Sequence, residues 1–182
     1  RGEPPYIELV WTTMSLSVEA EAAVLRAAHR AGVPVAAVVA SGDGVDDGFG
    51  GPWMICERVE GDAFAKTLLT DPSYVHVRSS FAADAGRAMG RIHSIPLDGL
   101  DSVLRGAGDG PLGPIVGMRH VLDGLRDLVG LTYPTFELAL RWLECNPTTV
   151  HPDAVVHGDF RTGNLLVRPD DDAAPGLSAV LG

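Results

Sequence analysis

In the stretch Val155-Val156-His157-Gly158-Asp159-Phe160-Arg161-Thr162-Gly163-Asn164-Leu165-Leu166-Val167, an acid and an amide stand five positions apart between two apolar runs. That pairing suits phosphoryl transfer to an alcohol. The hydroxyl must be held in line with a terminal phosphate, its proton taken by a carboxylate, and the phosphate charge neutralised by magnesium. Asp159 has the chemistry of the base. Asn164 offers a neutral carbonyl oxygen, which ligates a metal without adding charge beside that base. A loop pinned at both ends in strands would hold the two at fixed separation. Taken singly, each would be a turn residue; with His157 in register as well, the catalytic reading is favoured. His157 itself reads as a hydrogen-bonded structural residue rather than an acid or base.

Other constellations are weaker. His151, Asp153, His157 and Asp159 are types that bind transition metals, yet no HxH or HExxH arrangement accompanies them. Cys56 has no evident partner that would make it a nucleophile and reads as a buried strand residue. The loop GDGVDDGFGG resembles neither a phosphate cradle nor a calcium loop closely. It lacks a following Lys-Ser/Thr and a spaced Glu, so it reads as a solvated turn.

The elements that must position Asp159 and Asn164 follow from patterning. Tyr6 to Trp11 reads as a strand. Val18 to Ala31 reads as a helix, with Ser17 as cap, Glu19 and Glu21 at its positive end and Gly32 as its stop. Val35 to Ala40 and Trp53 to Val59 read as strands joined by the Gly- and Asp-rich turn Ser41 to Gly51. Asp71-Pro72 reads as the start of a long helix with an apolar stripe of Val77, Phe81, Ala85, Met89 and Ile92, closed by Pro96. A Gly-rich loop, Gly106 to Gly113, precedes helices expected over Met118–Val129 and Pro134–Cys145. Three short strands close the chain: Ala154 to Val156, Leu165 to Arg168 and Leu177 to Leu181. Strands first, helices next and a hairpin last predict an α+β fold of two lobes, residues 1–61 and 62–182, divided near Gly61.

Composition narrows the function classes. The 182 residues carry 14 Lys+Arg against 24 Asp+Glu, a formal charge of -10, which disfavours nucleic acid and anionic membrane surfaces as partners. The longest apolar run, Val33 to Ala40, is far short of the about 20 residues that span a bilayer. Two cysteines make no disulfide framework, and no secretory signal opens the chain, so a cytoplasmic protein is expected. The start at Arg1 rather than Met predicts that this is not the natural beginning of a gene product.

The string HGDFRTGNLLV resembles the signature of the aminoglycoside phosphotransferase and choline kinase superfamily, small-molecule relatives of protein kinases. With Phe160-Arg161 after the Asp, it is most similar to the branch found alone or fused to acyl-CoA dehydrogenases. GPWMICERVEG resembles that family's last N-lobe strand and hinge, AGRAMGRIHSIPLDGL its first long C-lobe helix, and VEAEAAVL its N-lobe helix with an ion-pairing Glu. The resemblance implies a two-lobed kinase-like fold with a small β-rich N-lobe, a mostly helical C-lobe and an ATP cleft between them. It implies Asp159 as catalytic base, Asn164 as magnesium ligand, backbone groups of Cys56 and Arg58 against adenine, Glu21 as the ion-pair Glu, and His157 as a brace of the loop. ATP and Mg2+ would be the cofactors, and the hydroxyl of a small molecule the acceptor: a hydroxyacyl compound, an amino sugar or an amino alcohol.

Two positions depart from the family's pattern. Gly182 stands where the family places a magnesium-binding Asp, and no Lys or Arg shortly precedes the Glu21 helix. The expectation is an incomplete chain, missing C-terminal acceptor-binding helices and inactive as it stands, with activity in a longer form. The alternative is a nucleotide-binding pseudokinase or interaction module without turnover.

Overall fold

The computed structural model describes residues 16–45, 48–100, 102–104, 112–147 and 152–182. The strand expected at Tyr6–Trp11, most of the Gly106–Gly113 loop and His151 lie outside them. The chain divides into two compact units, 18–100 with 154–182, and 1–17 with 101–153.

The first unit begins with α1, Val18–Arg30. Glu19 and Glu21 lie in its first turn and His29 and Arg30 in its last, each favourable to the helix dipole. Its buried face is made of alanines, Ala20, Ala22, Ala27 and Ala28, which let the helix backbone come close to a two-stranded sheet. That sheet pairs β1, Val38–Gly42, with β2, Trp53–Cys56, antiparallel, from Val38 opposite Cys56 to Gly42 opposite Trp53. Arg26 ties α1 to β1 through a 3.0 Å hydrogen bond to Ser41 Oγ.

A short helix, α2 at Ala65–Thr70, was not legible in the sequence. It packs Leu68 into a core with Tyr74, Val77 and Val167, against which Phe81 lies. The long helix α3 spans Val75–His93; of the expected stripe Val77 and Ile92 are buried and Phe81, Ala85 and Met89 partly so, and Ala88 is buried beside them. The Asp71-Pro72 pair does not cap it. Asp71 instead accepts from Ser73 N and starts a 3-10 turn at Pro72–Tyr74. The free N–H groups opening α3 are met by Asp170, whose carboxylate accepts from His76 N at 2.9 Å and Val77 N at 2.8 Å.

Asp170 lies in the turn between β3, Leu165–Arg168, and β4, Gly176–Val180, an antiparallel hairpin that α3 packs against. Each outer edge of the hairpin makes one backbone contact with another segment. Val167 exchanges two backbone hydrogen bonds with Asp62 (2.9 and 3.0 Å), and Val180 N donates to Pro34 O at 2.7 Å. The third strand expected at Ala154–Val156 does not form; those residues lie outside any ladder. In the second unit, α4, Gly113–Val129, packs on α5, Pro134–Cys145, with Arg119 bridging Glu137 and Glu144.

Candidate active site

The residues of the loop from His157 to Asn164 are placed by β3 and β4. Thr162–Asn164 forms a single 3-10 turn leading directly into β3. Leu181 N donates to Asn164 O at 2.8 Å, so the ends of the turn and the hairpin are joined. His157 stands at the entry. Its Nε2 lies 2.9 Å from Leu181 O, and its ring meets Phe160 edge-on at 5.4 Å.

Asp159 and Asn164 come together. Asn164 Nδ2 donates to Asp159 Oδ2 and to Asp159 O, both at 2.9 Å. Arg161 Nε donates to the same carboxylate, at 3.0 Å to Oδ2 and 3.2 Å to Oδ1. The Asp159 side chain is 63% exposed. First the Arg161 hydrogen bond and then that of Asn164 hold its pKa below the ordinary carboxylate value, so it is ionised at neutral pH. An ionised, exposed and oriented carboxylate can accept a proton from an alcohol. Arg161 is the residue that sequence reasoning passed over. Its signal was present, an arginine two positions after the acid in a loop too short to keep them apart.

Asn164 spends its amide N–H groups on Asp159, which leaves the carbonyl oxygen as the atom available to a metal. Among the described residues no group of three or more His, Cys, Asp or Glu is gathered to cage a metal ion. One amide oxygen and one carboxylate fit magnesium, which keeps several waters and shares its shell with substrate phosphates. A fully protein-made site is not what these residues form. A Cβ at Gly182 would lie 3.7 Å from His157 Cε1, so position 182 borders this loop without bringing a carboxylate to it.

The other expected site residues lie elsewhere in the same unit. Cys56 ends β2 and is half-buried. The strand stops there, short of Val59. Glu57 N still reaches Ala37 O at 2.9 Å, and the backbone of Arg58 and Val59 is then left out of the ladder. The Arg58 side chain is exposed and pairs with Glu60 at 3.0 Å. Beyond it the chain is fastened to the hairpin: Glu60 O accepts from Ser178 Oγ at 2.8 Å and from Arg168 Nε at 3.3 Å. Gly61 (φ 149°) is required at this crossing, because a Cβ would sit 2.8 Å from Ser178 Oγ and 3.0 Å from Leu166 Cβ. Glu21 lies on α1, half-buried, and has no ion-pair partner among the described residues.

A protein provisionally assigned as an aminoglycoside phosphotransferase, from Ralstonia eutropha JMP134, has a crystal structure similar to this fold, with a TM-score of 0.65 and 24% sequence identity. The match covers 91% of this chain and 49% of that one, so the chain spans about half the length of the solved structure it resembles. The α+β fold is therefore kinase-like. Among curated proteins none matches the chain. Residues 13–181, which include the loop from His157 to Asn164 and both strands behind it, match the model of the phosphotransferase enzyme family, and the chain belongs to that family.

Proposed function

We propose that the protein is an ATP-dependent phosphotransferase acting on a hydroxyl of a small molecule, with Asp159 as catalytic base and Asn164 as magnesium ligand. The observation that carries this reading is the 2.9 Å hydrogen bond from Asn164 Nδ2 to Asp159 Oδ2, which fixes the base and the metal-binding amide as one unit. Asp159 receives the acceptor's hydroxyl and takes its proton as the new bond to phosphorus forms. Bound Mg·ATP supplies the phosphoryl group and the neutralising charge; the loop supplies position. Adenine is met by backbone groups of Cys56, the last residue of β2, and of Arg58, which lies beyond the ladder. The division of labour falls at Gly61, with residues 1–61 holding the nucleotide and 62–182 carrying the chemistry. Resemblance to the branch associated with acyl-CoA dehydrogenases favours a hydroxyacyl acceptor over amino sugars and amino alcohols.

A second reading, a nucleotide-binding module without turnover, is favoured by Gly182 beside His157 and by Glu21 having no ion-pair partner among the described residues. One experiment separates the two. Magnesium-dependent ATP binding is measured on the full-length protein, wild type and Asp159→Asn, followed by phosphate transfer to hydroxyacyl-CoAs, amino sugars and amino alcohols. The phosphotransferase reading requires transfer by the wild type, a loss of about 10²-fold or more on Asp159→Asn, and ATP binding spared in both. Binding without transfer to any acceptor establishes the second reading.

A further inference from the structure

We propose that Arg161 is an exchangeable counter-ion of this loop: it rests on the Asp159 carboxylate and is drawn off by the terminal phosphate of the nucleotide, which uncovers the base only when phosphate is in place. The inference rests on the phosphotransferase reading and adds a positioning residue to it.

The carboxylate is shared unequally. Asn164 bonds only Oδ2, whereas Arg161 Nε reaches both oxygens and is the sole partner of Oδ1 among the described residues. While Arg161 stays, neither oxygen is open to a hydroxyl in the direction the guanidinium covers. Once it leaves, Asn164 still holds Oδ2, and Oδ1 is free to accept a proton. Leaving costs little. Both side chains are more than half exposed, at 64% for Arg161 and 63% for Asp159, and exposed ion pairs shift equilibria by only a few-fold.

The resting place is prepared by a glycine. A Cβ on Gly163 would overlap Nη1 of Arg161 and would come within 3.8 Å of Nη2, so the guanidinium lies over Gly163 in space a side chain would fill. Gly163 is not among the glycines with positive φ, so the open space is what it contributes. The guanidinium uses only Nε on Asp159, and its two terminal nitrogens have no hydrogen-bond partner among the described residues. A planar fork with unused donors beside a base is matched to a tetrahedral dianion, which accepts two parallel N–H bonds and carries more charge than a carboxylate.

The test is binding of ATP, ADP and adenosine in magnesium buffer to wild type, Arg161→Gln, Arg161→Lys, Gly163→Ala and the Arg161→Gln/Gly163→Ala double variant. Arg161→Gln is expected to weaken ATP about tenfold and to leave ADP and adenosine unchanged, with Arg161→Lys recovering part of the loss. Gly163→Ala keeps every charge but closes the resting place, so it is expected to tighten ATP about two- to fivefold. In the Arg161→Gln background it should do nothing. Adenosine binding reports that each variant retains its fold. Equal losses for ATP and ADP, or a Gly163→Ala effect that is absent or that persists without Arg161, overturn the proposal while leaving the phosphotransferase reading intact. A wild type that binds no ATP overturns both.

Discussion

The Nε2 of His157 lies 2.9 Å from the carbonyl oxygen of Leu181. A carbonyl only accepts, so Nε2 carries the proton, and Nδ1 presents its lone pair to the backbone N–H of Asp159 at 3.3 Å. One imidazole thus joins the end of β4 to Asp159. Leu181 N returns to Asn164 O, closing a circuit through residues 157, 159, 164 and 181. The separation of Asp159 and Asn164 is held by this circuit as well as by the short turn.

Removing the brace should therefore damage chemistry more than binding. His157→Ala is expected to lower kcat by about 10²-fold, the scale of a small misplacement of a reacting group, while the Kd for ATP stays within about twofold. Steady-state kinetics paired with nucleotide titration check this. A variant whose loss lies entirely in nucleotide affinity would place His157 in the nucleotide site instead.

The hinge assignment predicts a contrast between neighbours. Arg58 offers backbone, and its side chain merely pairs with Glu60 in solvent, so Arg58→Ala should leave ATP affinity within about twofold. Gly61→Ala should weaken it about tenfold or unfold the crossing, because the new methyl meets Ser178 and Leu166 where Glu60 is fastened to the hairpin. Nucleotide titration with a thermal melt on each variant separates affinity from folding. Equal, large losses of affinity in both would mean that the Arg58 side chain touches the nucleotide.

How much of this was legible depended on whether an element's cause was local. Pro134–Cys145 and Leu165–Arg168 match the expected spans residue for residue, since a proline start and an apolar run bounded by turn residues are local signals. Asp159 and Asn164 were legible for the same reason, as a fixed spacing inside one loop. Ala65–Thr70 was not, because Phe64 gives it no side-chain cap and Leu68 is held by Tyr74, Val77 and Val167 from other segments. The cap of α3 was misjudged because Asp71 is adjacent in sequence, whereas Asp170, 94 positions from His76, is adjacent in space. Ala154–Val156 was read as a strand from its apolar residues. Whether a strand forms depends on a partner edge, and these residues pair with none, while the hairpin is met by Asp62 at Val167 and by Pro34 at Val180.

Val167 ties these non-local parts together. It is 1% exposed, pairs with β4 on one side and Asp62 on the other, and packs against Leu68, Tyr74 and Val77. Val167→Ala is expected to cost about 2 kcal/mol of stability from two lost methyl groups and the cavity they leave. Urea unfolding monitored by tryptophan fluorescence measures it. A change below about 0.5 kcal/mol would show that the site collapses freely and that the core does not depend on this contact.

The Asp170 cap makes a pH prediction whose sign can be worked out. Partial burial pushes this carboxyl upward, but the backbone N–H groups of His76 and Val77 outweigh it, and the net pKa lies below the ordinary carboxylate value. A folded pKa below the unfolded one means that the ionised form is favoured by folding. The contribution is fully present above the unfolded value and is lost as pH falls through the folded one. Asp170→Asn keeps an oxygen acceptor but not the charge, so it should lower Tm by a few degrees at neutral pH. On acidification the gap between wild type and variant should narrow and close as pH falls below the ordinary carboxylate range, even though Asp71 and Asp159, also lowered, destabilise both proteins together. Thermal melts across that range read the difference directly. A gap that stays constant down to the acid limit would mean that Asp170 holds α3 by its hydrogen-bond geometry alone, with no part played by its charge.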